Sequence, residues 1–368
     1  MVERYVRPEG EIVAQFDVRF SRFIEPGGKV VCTPLPPWAD DSGVLIPIYR
    51  TMLQTRAFDA AALKLQRTGR LGTYASPLGQ EAIGAGVASA MREEDLLVPS
   101  YREFSAQLWR GVTMTELLLY WGGDERGSDY RVPREDFPAC IPVASHCCHA
   151  TGAAYAFKIR RQPRVAVCFL GDGATSKGDF YESLNAAGAW NVPVVFVVCN
   201  NHWAISVPLG RQTAARTLAQ KAIAAGVASE QVDGNDAIAV RAAAEFAIEN
   251  ARSGEGPRLI EALTYRLGDH TTADDASRYR DAAEVNAARA RDPVSRLHDY
   301  LTGTKALLSA ADEETMSAEI EQEVDDAIEQ YLATPPQPAS AMFDHLFSEL
   351  PQSMLDQRAS AEGEQDHG

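Results

Sequence analysis

The sequence of 368 residues is short of basic side chains: 35 lysines and arginines stand against 51 acidic residues, leaving a net charge of −16. Nucleic acids and anionic membrane surfaces recruit proteins through clustered lysine and arginine. No basic stripe offsets the deficit here, so neither is an expected partner. The chain also lacks any run of 18 apolar residues of the kind that spans a bilayer. Its start, MVERYVRPEG, places charges where a secretory signal needs an apolar segment. The expected location is cytoplasmic.

Cysteine is sparse. The six residues Cys32, Cys140, Cys147, Cys148, Cys168 and Cys199 include no CxxC pair, and thiols of a cytoplasmic chain stay reduced. Cys168 and Cys199 fall within apolar runs and read as core. The run His146-Cys147-Cys148-His149 concentrates soft metal ligands. Contiguous residues on a helix point in different directions, however, and zinc sites generally space their ligands by two or more positions. The run therefore reads as structural. No internal repeat is present.

At about 150 residues per domain, this length suggests two or three units, although α/β domains often run larger as one. Residues 1–43 hold Pro8, Pro26, Pro34, Pro36 and Pro37 with little periodicity and read as an irregular N-terminal arm. Apolar spacing predicts a long amphipathic helix from Leu45 to Gln66, and the small-residue segment AIGAGVASAM a closely packed one. Leu96 to Val98 reads as a strand delivering Tyr101-Arg102, an aromatic and guanidinium pair suited to gripping phosphate. Thr113 with Glu116 forms a capping-box signature, and Ser145 is the expected N-cap of a helix reaching Arg161. Further helices are expected at Thr217–Ala225, Asp236–Arg252, Pro293–Leu301, Ala310–Leu332 and Ala341–Glu349. The polar loop from Arg266 to Arg291 is long enough to be functional. Residues 351–368 form an acidic tail.

The most informative stretch is Arg164 to Ser206. An apolar run from Val165 to Leu170 breaks at Gly171-Asp172-Gly173, a helical pattern follows, and a second apolar run ends at Asn200-Asn201. Two strands apolar on both faces, joined by a helix, predict neighbouring parallel strands buried between helices, an α/β fold. Both following loops then open at the carboxyl edge of the sheet, where such folds bind ligands. Asp172 and Asn201 should meet there. A carboxylate and an amide oxygen are hard ligands suited to Mg²⁺, which commonly shares them with a bound phosphate. Gly171 and Gly173 let backbone approach that phosphate, and a helix starting near Gly178 offers free N–H groups.

GDG at one strand end and NN at the next resemble the diphosphate-binding motif of thiamin-diphosphate enzymes. Joined to Tyr101-Arg102, to Gly79-Gln80-Glu81-Ala82, to the turn from Ile141 to His146 and to the loop around His270, they make residues 45 to 350 similar to the α subunit of the thiamin-dependent decarboxylating component of 2-oxo-acid dehydrogenase complexes. The segments from Gln212 to Gly226 and from Ser277 resemble bacterial pyruvate dehydrogenase α subunits most. The resemblance implies one thiamin-diphosphate-binding domain over 44–350, a parallel sheet flanked by helices with C-terminal helices appended. It implies thiamin diphosphate and Mg²⁺ as cofactors, with Asp172, Asn201 and the Trp203 carbonyl on the metal. Tyr101 and Arg102 would grip the diphosphate, with Gly171, Gly173 and Ala174 lining it. Val143 would support the bent cofactor, the Ile141 carbonyl would accept the aminopyrimidine hydrogen bond, and His270 would stand near the reacting carbon.

The implied activity is oxidative decarboxylation of pyruvate with acyl transfer to a lipoyl group on an acyltransferase partner. It needs a β subunit, in an α₂β₂ assembly, to supply the glutamate that activates the cofactor. Branched-chain 2-oxo-acid and acetoin dehydrogenase α subunits share the architecture. A reading from a different class is a non-enzymatic α/β protein holding a nucleotide phosphate on the Gly171 loop. Two positions depart from the family pattern. Thr73 stands where relatives carry an aromatic residue near the substrate pocket, which leaves the pocket size open. Asp269 precedes His270, and Thr271 replaces the serine that eukaryotic relatives use for regulation.

Overall fold

The computed structural model describes residues 10–365; the first nine residues of the arm and the last three of the acidic tail lie outside them. Six parallel strands form the central sheet: β1 (Phe20–Ser21), β2 (Leu96–Val98), β3 (Ala166–Gly171), β4 (Val194–Asn200), β5 (Ala228–Asp233) and β6 (Arg258–Leu263). Their spatial order is β1-β5-β6-β4-β3-β2. The register pairs Leu170 with Val198 and Gly171 with Cys199, so β3 and β4 end side by side. The expected α/β sheet between helices is what the chain forms.

Side-chain alternation sorts the two layers. Leu96, Val98, Ala166, Cys168, Leu170, Phe196 and Val198 face one side, where they meet Cys147, Ala150, Ala154, Phe180 and Leu184. These come from helices α3 (Ser145–Ile159) and α4 (Gly178–Trp190). Leu97, Val167, Phe169, Val195, Val197 and Ile260 face the other side, against Ile83, Val87, Val240, Ala244 and Ile248. Those belong to α2 (Glu81–Ala88) and α5 (Ala237–Arg252). Phe169 and Phe196 are fully buried, and truncating either to alanine would cost about 3–5 kcal/mol. On α2, a Cβ at Gly86 would fall 2.9 Å from a Val240 methyl, so the small-residue run exists to let α2 lie close to α5.

An outer layer covers α2. The long helix α1 (Ser42–Arg67) carries Pro47 inside it, where the ring removes the N–H that would pair with the Gly43 carbonyl. It packs on α6 (Ala310–Ala333) through Leu45, Ile48, Met52 and Ile320. Arg56 ties these layers together, pairing with buried Glu81 and with Asp292 at 2.8 Å each. No helix among the described residues is long and apolar enough to cross a membrane.

Several local expectations are corrected. The α3 helix begins at Ser145 with Ala144 before it at φ 68°, so Ser145 is its first residue and not its cap. Thr113 and Glu116 form the expected capping box. Strand β5, Ala228–Asp233, was not anticipated: its Ser229, Glu230, Gln231 and Asp233 give no apolar pattern, yet it pairs along its whole length with β6. Phe20–Ser21, inside the stretch read as irregular, adds to β5 as an edge strand. The terminal helix spans Gln352–Gln365 instead of Ala341–Glu349, because Pro351 suits a helix start and ends whatever precedes it.

Candidate active site

The ends of β3 and β4 open into a cavity of about 360 Å³. Tyr101, Arg102, Val143, Gly171, Asp172, Gly173, Ala174, Asn201, Trp203 and His270 all line it. Ile141 does not; it lies outside the lining and is half-exposed. Thr73 also stands away from the cavity, on the surface. The lining holds Gln80, His146, Lys177 and Arg266 as well.

Asp172 forms the floor. Gly171 ends β3 and the chain enters a tight turn, Asp172–Ser176, before α4. The turn is held by Thr175, which donates to the Asp172 carbonyl at 2.8 Å. A Cβ at Gly171 would meet no atom within 4 Å, so the cavity reaches the backbone there, whereas one at Gly173 would lie 2.7 Å from the Ala204 methyl. The Asp172 carboxylate is buried, and burial pushes its pKa above the ordinary carboxylate range. Its Oδ2 accepts from Gln212 Nε2 at 2.7 Å.

Asn201 faces it from the end of β4. Its amide nitrogen donates to Gln80 Oε1 at 3.3 Å and its Oδ1 accepts from the Trp203 N–H at 3.2 Å. The neighbouring Asn200 turns inward instead, donating to Glu261 on β6 at 2.7 Å. The paired amides thus divide their work: Asn200 fastens the sheet and Asn201 faces the cavity.

The opposite wall is cationic. Arg102 donates through Nη1 to the Ser76 carbonyl at 2.7 Å and through Nη2 to the His270 carbonyl and to His270 Nδ1, the latter at 3.0 Å. Arg266, fully buried, donates to the Ile205 carbonyl at 2.7 Å and to the Tyr279 hydroxyl at 3.0 Å, and lies 3.4 Å from His270 Nδ1. Neither arginine has a carboxylate salt-bridge partner among the described residues. Because guanidinium only donates, His270 Nδ1 must be an acceptor and its proton sits on Nε2. Burial, with Arg102 and Arg266 beside it, holds the His270 pKa down to about 4. His270 is neutral at physiological pH. Asp274 fixes its loop by accepting from the His270 N–H at 2.9 Å and from the Tyr279 hydroxyl.

Four side chains of this site carry no sequence-based assignment: Gln80, Gln212, His146 and Arg266. Gln80 and Gln212 stand in quoted segments and Arg266 heads the His270 loop, but Gln212 lies 40 residues from Asp172 in sequence, and only the fold brings the two together. All four leave a buried polar atom without a hydrogen-bond partner: Gln80 Nε2, Gln212 Oε1, His146 Nδ1 and Arg266 Nε. Unpaired buried polar atoms are costly in a finished protein. Their clustering beside two unpaired arginines marks a site built for a polar, anionic ligand.

A parallel α/β sheet whose carboxyl edge joins a buried carboxylate, an amide and two arginines without carboxylate partners presents a polar ligand crevice of the kind α/β enzymes carry there. The chain belongs to the dehydrogenase E1 component family, whose model matches residues 49–340. It is 39% identical over 337 residues to the pyruvate dehydrogenase E1 component subunit alpha of Acholeplasma laidlawii, covering 90% of this chain and 96% of that one. The protein of the same name from Mycoplasma genitalium is 37% identical over 340 residues, 92% of each chain. That from Staphylococcus aureus is 37% identical over 91% of this chain and 90% of its own.

Proposed function

We propose that this chain is the α subunit of a pyruvate dehydrogenase, an enzyme that decarboxylates pyruvate oxidatively and passes the acetyl group to a lipoyl acceptor. The observation that carries the reading is the cavity in which Asp172 and Asn201 converge beneath Arg102 and Arg266. Relatives bearing that subunit name match over nearly the whole chain, which weighs against branched-chain or acetoin substrates and against a nucleotide-binding protein without activity.

The residues present fit thiamin diphosphate with Mg²⁺. Asp172 and Asn201 supply hard oxygens for the ion, with the Trp203 carbonyl close by, and Tyr101 and Arg102 supply donors for the diphosphate. Open space at Gly171, with Gly173 and Ala174 next to it, leaves room for phosphate oxygens against the backbone. Val143, partly exposed in the lining, offers an apolar support for the rings. Ile141 would reach the cofactor only through its carbonyl. When bound, the cofactor supplies a nucleophilic carbon and an electron sink for the departing CO₂.

This chain's part is to bind, orient and hold protons. Arg102 and Arg266 keep positive charge facing the cavity. Burial and these two charges keep His270 neutral, so its Nε2–H can donate a hydrogen bond to an oxygen of the reacting carbonyl or of the acyl group in transfer. Exposed Ile141, Val143, Ile205 and Val207 lie around the cavity mouth or next to its lining residues. An apolar rim of this kind suits burial under a second chain, and it supports a β subunit completing the site in an α₂β₂ assembly, with a lipoyl-bearing acyltransferase docking on the whole.

The test is coexpression with a candidate β subunit and measurement of pyruvate decarboxylation with Mg²⁺ and thiamin diphosphate. Turnover of pyruvate well above that of 3-methyl-2-oxobutanoate and acetoin is expected. Preference for either of the others overturns the substrate assignment, and steady turnover by the α chain alone overturns the partner assignment.

A further inference from the structure

The run His146-Cys147-Cys148-His149 is not used by the reaction, and the fold splits it. Cys148 and His149 face outward, while His146 and Cys147 turn inward from the first turn of α3. There they meet Cys168 from β3. Both sulfurs are fully buried and lie 3.9 Å apart, and a ring nitrogen of His146 and the two sulfurs lie within 4.8 Å of one another. Two thiolates bound to one tetrahedral zinc at about 2.3 Å stand about 3.8 Å apart. The protein thus already holds its sulfurs at the separation that a shared cation requires.

The imidazole is set in the same sense. His146 Nε2 lies 2.6 Å from the Phe169 carbonyl, which can only accept, so the proton is on Nε2 and Nδ1 keeps a bare lone pair. Nδ1 is buried and has no hydrogen-bond partner. A metal-ligating histidine characteristically donates its other N–H to a backbone carbonyl or carboxylate in this way.

We propose that His146, Cys147 and Cys168 form a binding site for a thiophilic divalent cation of the zinc class, reached through the cavity wall at His146. Two thiolates and a neutral imidazole cancel a divalent charge, whereas monovalent copper would leave a net negative charge buried beneath the sheet. Binding is a proton exchange: the cation displaces the protons of both thiols, two metal–sulfur bonds and one metal–nitrogen bond form, and two protons go to solvent. His146 lines the cavity and the two cysteines do not, so the way in would run past the imidazole. If that cavity holds the diphosphate cofactor, as proposed above, the cofactor closes the way in and the cation competes with it.

The experiment titrates the full chain, in complex with its β subunit, with Cd²⁺ as an optical probe of thiolate ligation. One Cd²⁺ per α chain is expected, with thiolate charge-transfer absorption that is lost in Cys147→Ser and in Cys168→Ala and kept in Cys148→Ser. His146→Gln should weaken binding by more than about tenfold. Should the core variants fold poorly, an indicator dye on the unaltered protein should record two protons released per Cd²⁺ bound. Absorption that survives in both buried-cysteine variants, or binding without proton release, overturns the site. Cofactor with Mg²⁺ at about ten times its dissociation constant should slow Cd²⁺ uptake about tenfold. Unchanged uptake, with calorimetry showing the cofactor bound, overturns the route through the cavity. Calorimetry showing no cofactor binding instead overturns the functional reading and leaves the cation site standing on the optical result.

Discussion

The floor and the cationic wall of the cavity are built in different ways. Asp172 and Asn201 arrive on the ends of two strands paired residue for residue, so their separation is set by sheet geometry. Arg102, Arg266 and His270 arrive on two loops and hold one another. Arg102 reaches back to Ser76 and across to His270, while Arg266 reaches to Ile205 and Tyr279. A floor fixed by backbone pairing tolerates loss of a neighbour. A wall fixed by side-chain hydrogen bonds does not, and its members should respond to mutation together. The cost of positioning therefore falls on the wall, while both carry a cost of burial: Asp172 on the floor and Arg102 and Arg266 on the wall are held where burial disfavours their charge.

The sharpest break of this comparison is Asp172→Ala. Removing the charged oxygen of the floor should weaken Mg²⁺-dependent cofactor binding by more than about a hundredfold, since even supporting groups of metal sites are worth 10–100-fold. The folded chain should not lose stability, because the buried charge goes with it. Calorimetry with the β subunit present, beside thermal melts without cofactor, checks both halves. Equal cofactor affinity in the variant removes the floor from the site.

His270→Ala probes the wall. Cofactor affinity should stay within a few fold, while acyl transfer to lipoyl acceptors falls by roughly a hundredfold, the scale of a lost hydrogen-bond donor to developing charge. Dye-coupled decarboxylation measured in parallel separates the two steps. If both rates match the unaltered enzyme, the histidine has no part in the reaction.

A third, smaller effect is expected where the fold has joined a distant residue to the floor. Gln212→Leu removes the amide that donates to Asp172, and the Mg²⁺ requirement for cofactor binding should rise about tenfold. Gln212→Glu, which brings a second negative charge against Asp172, should shift that requirement differently from Leu if the contact is direct. Identical behaviour in both variants would show that only the shape of the loop matters.

How much of this was readable beforehand follows the same division. The floor was legible because two short apolar runs ending in GDG and NN can hardly fold other than as adjacent buried strands, and the sheet then decides what meets. β5 was not legible: a strand made of Ser229, Glu230, Gln231 and Asp233 carries no periodic signal and is recruited by its neighbours' backbone. The wall was legible in parts, Arg102 as a phosphate grip at a strand end and His270 by resemblance, but nothing in the local sequence says that the two, 168 residues apart, share a hydrogen bond. Gln212 opens a segment singled out only by resemblance, with nothing to tie it to Asp172, and the pairing of Cys147 with Cys168 left no signal. Each depends on which face of an element the core takes up.

Asp59 offers the gentlest test, because it stands one step behind the wall. It is buried on α1, its Oδ2 accepts from Ser76 Oγ at 2.9 Å, and the buried Tyr74 hydroxyl lies beside it, outside good hydrogen-bond geometry but near enough to favour its charged form. Ser76 in turn receives Arg102 on its carbonyl. Burial pushes the Asp59 pKa up to about 6 from an ordinary 3.8, the hydrogen bond from Ser76 opposing. A carboxyl raised on folding favours the folded state while it is protonated. That contribution is complete below about pH 4 and is lost as pH rises through about 6, so at pH 8 the chain carries a buried carboxylate at a cost on the order of 3 kcal/mol. His270, held down to about 4 in the folded chain, has the opposite sign. Its neutral form favours folding above pH 6.5, and that advantage shrinks as pH falls from there toward 4. Asp59→Asn should therefore melt higher than the unaltered chain at pH 8 and approach it below about pH 5, with cofactor affinity changed no more than a few fold. His270→Gln should instead flatten the loss of stability on the acid side. Thermal melts of the two variants across pH 4 to 8 decide the matter: if Asp59→Asn is no more stable than the unaltered chain at pH 8, the second oxygen of Asp59 has a stabilising partner and the carboxylate belongs to the hydrogen-bonded wall.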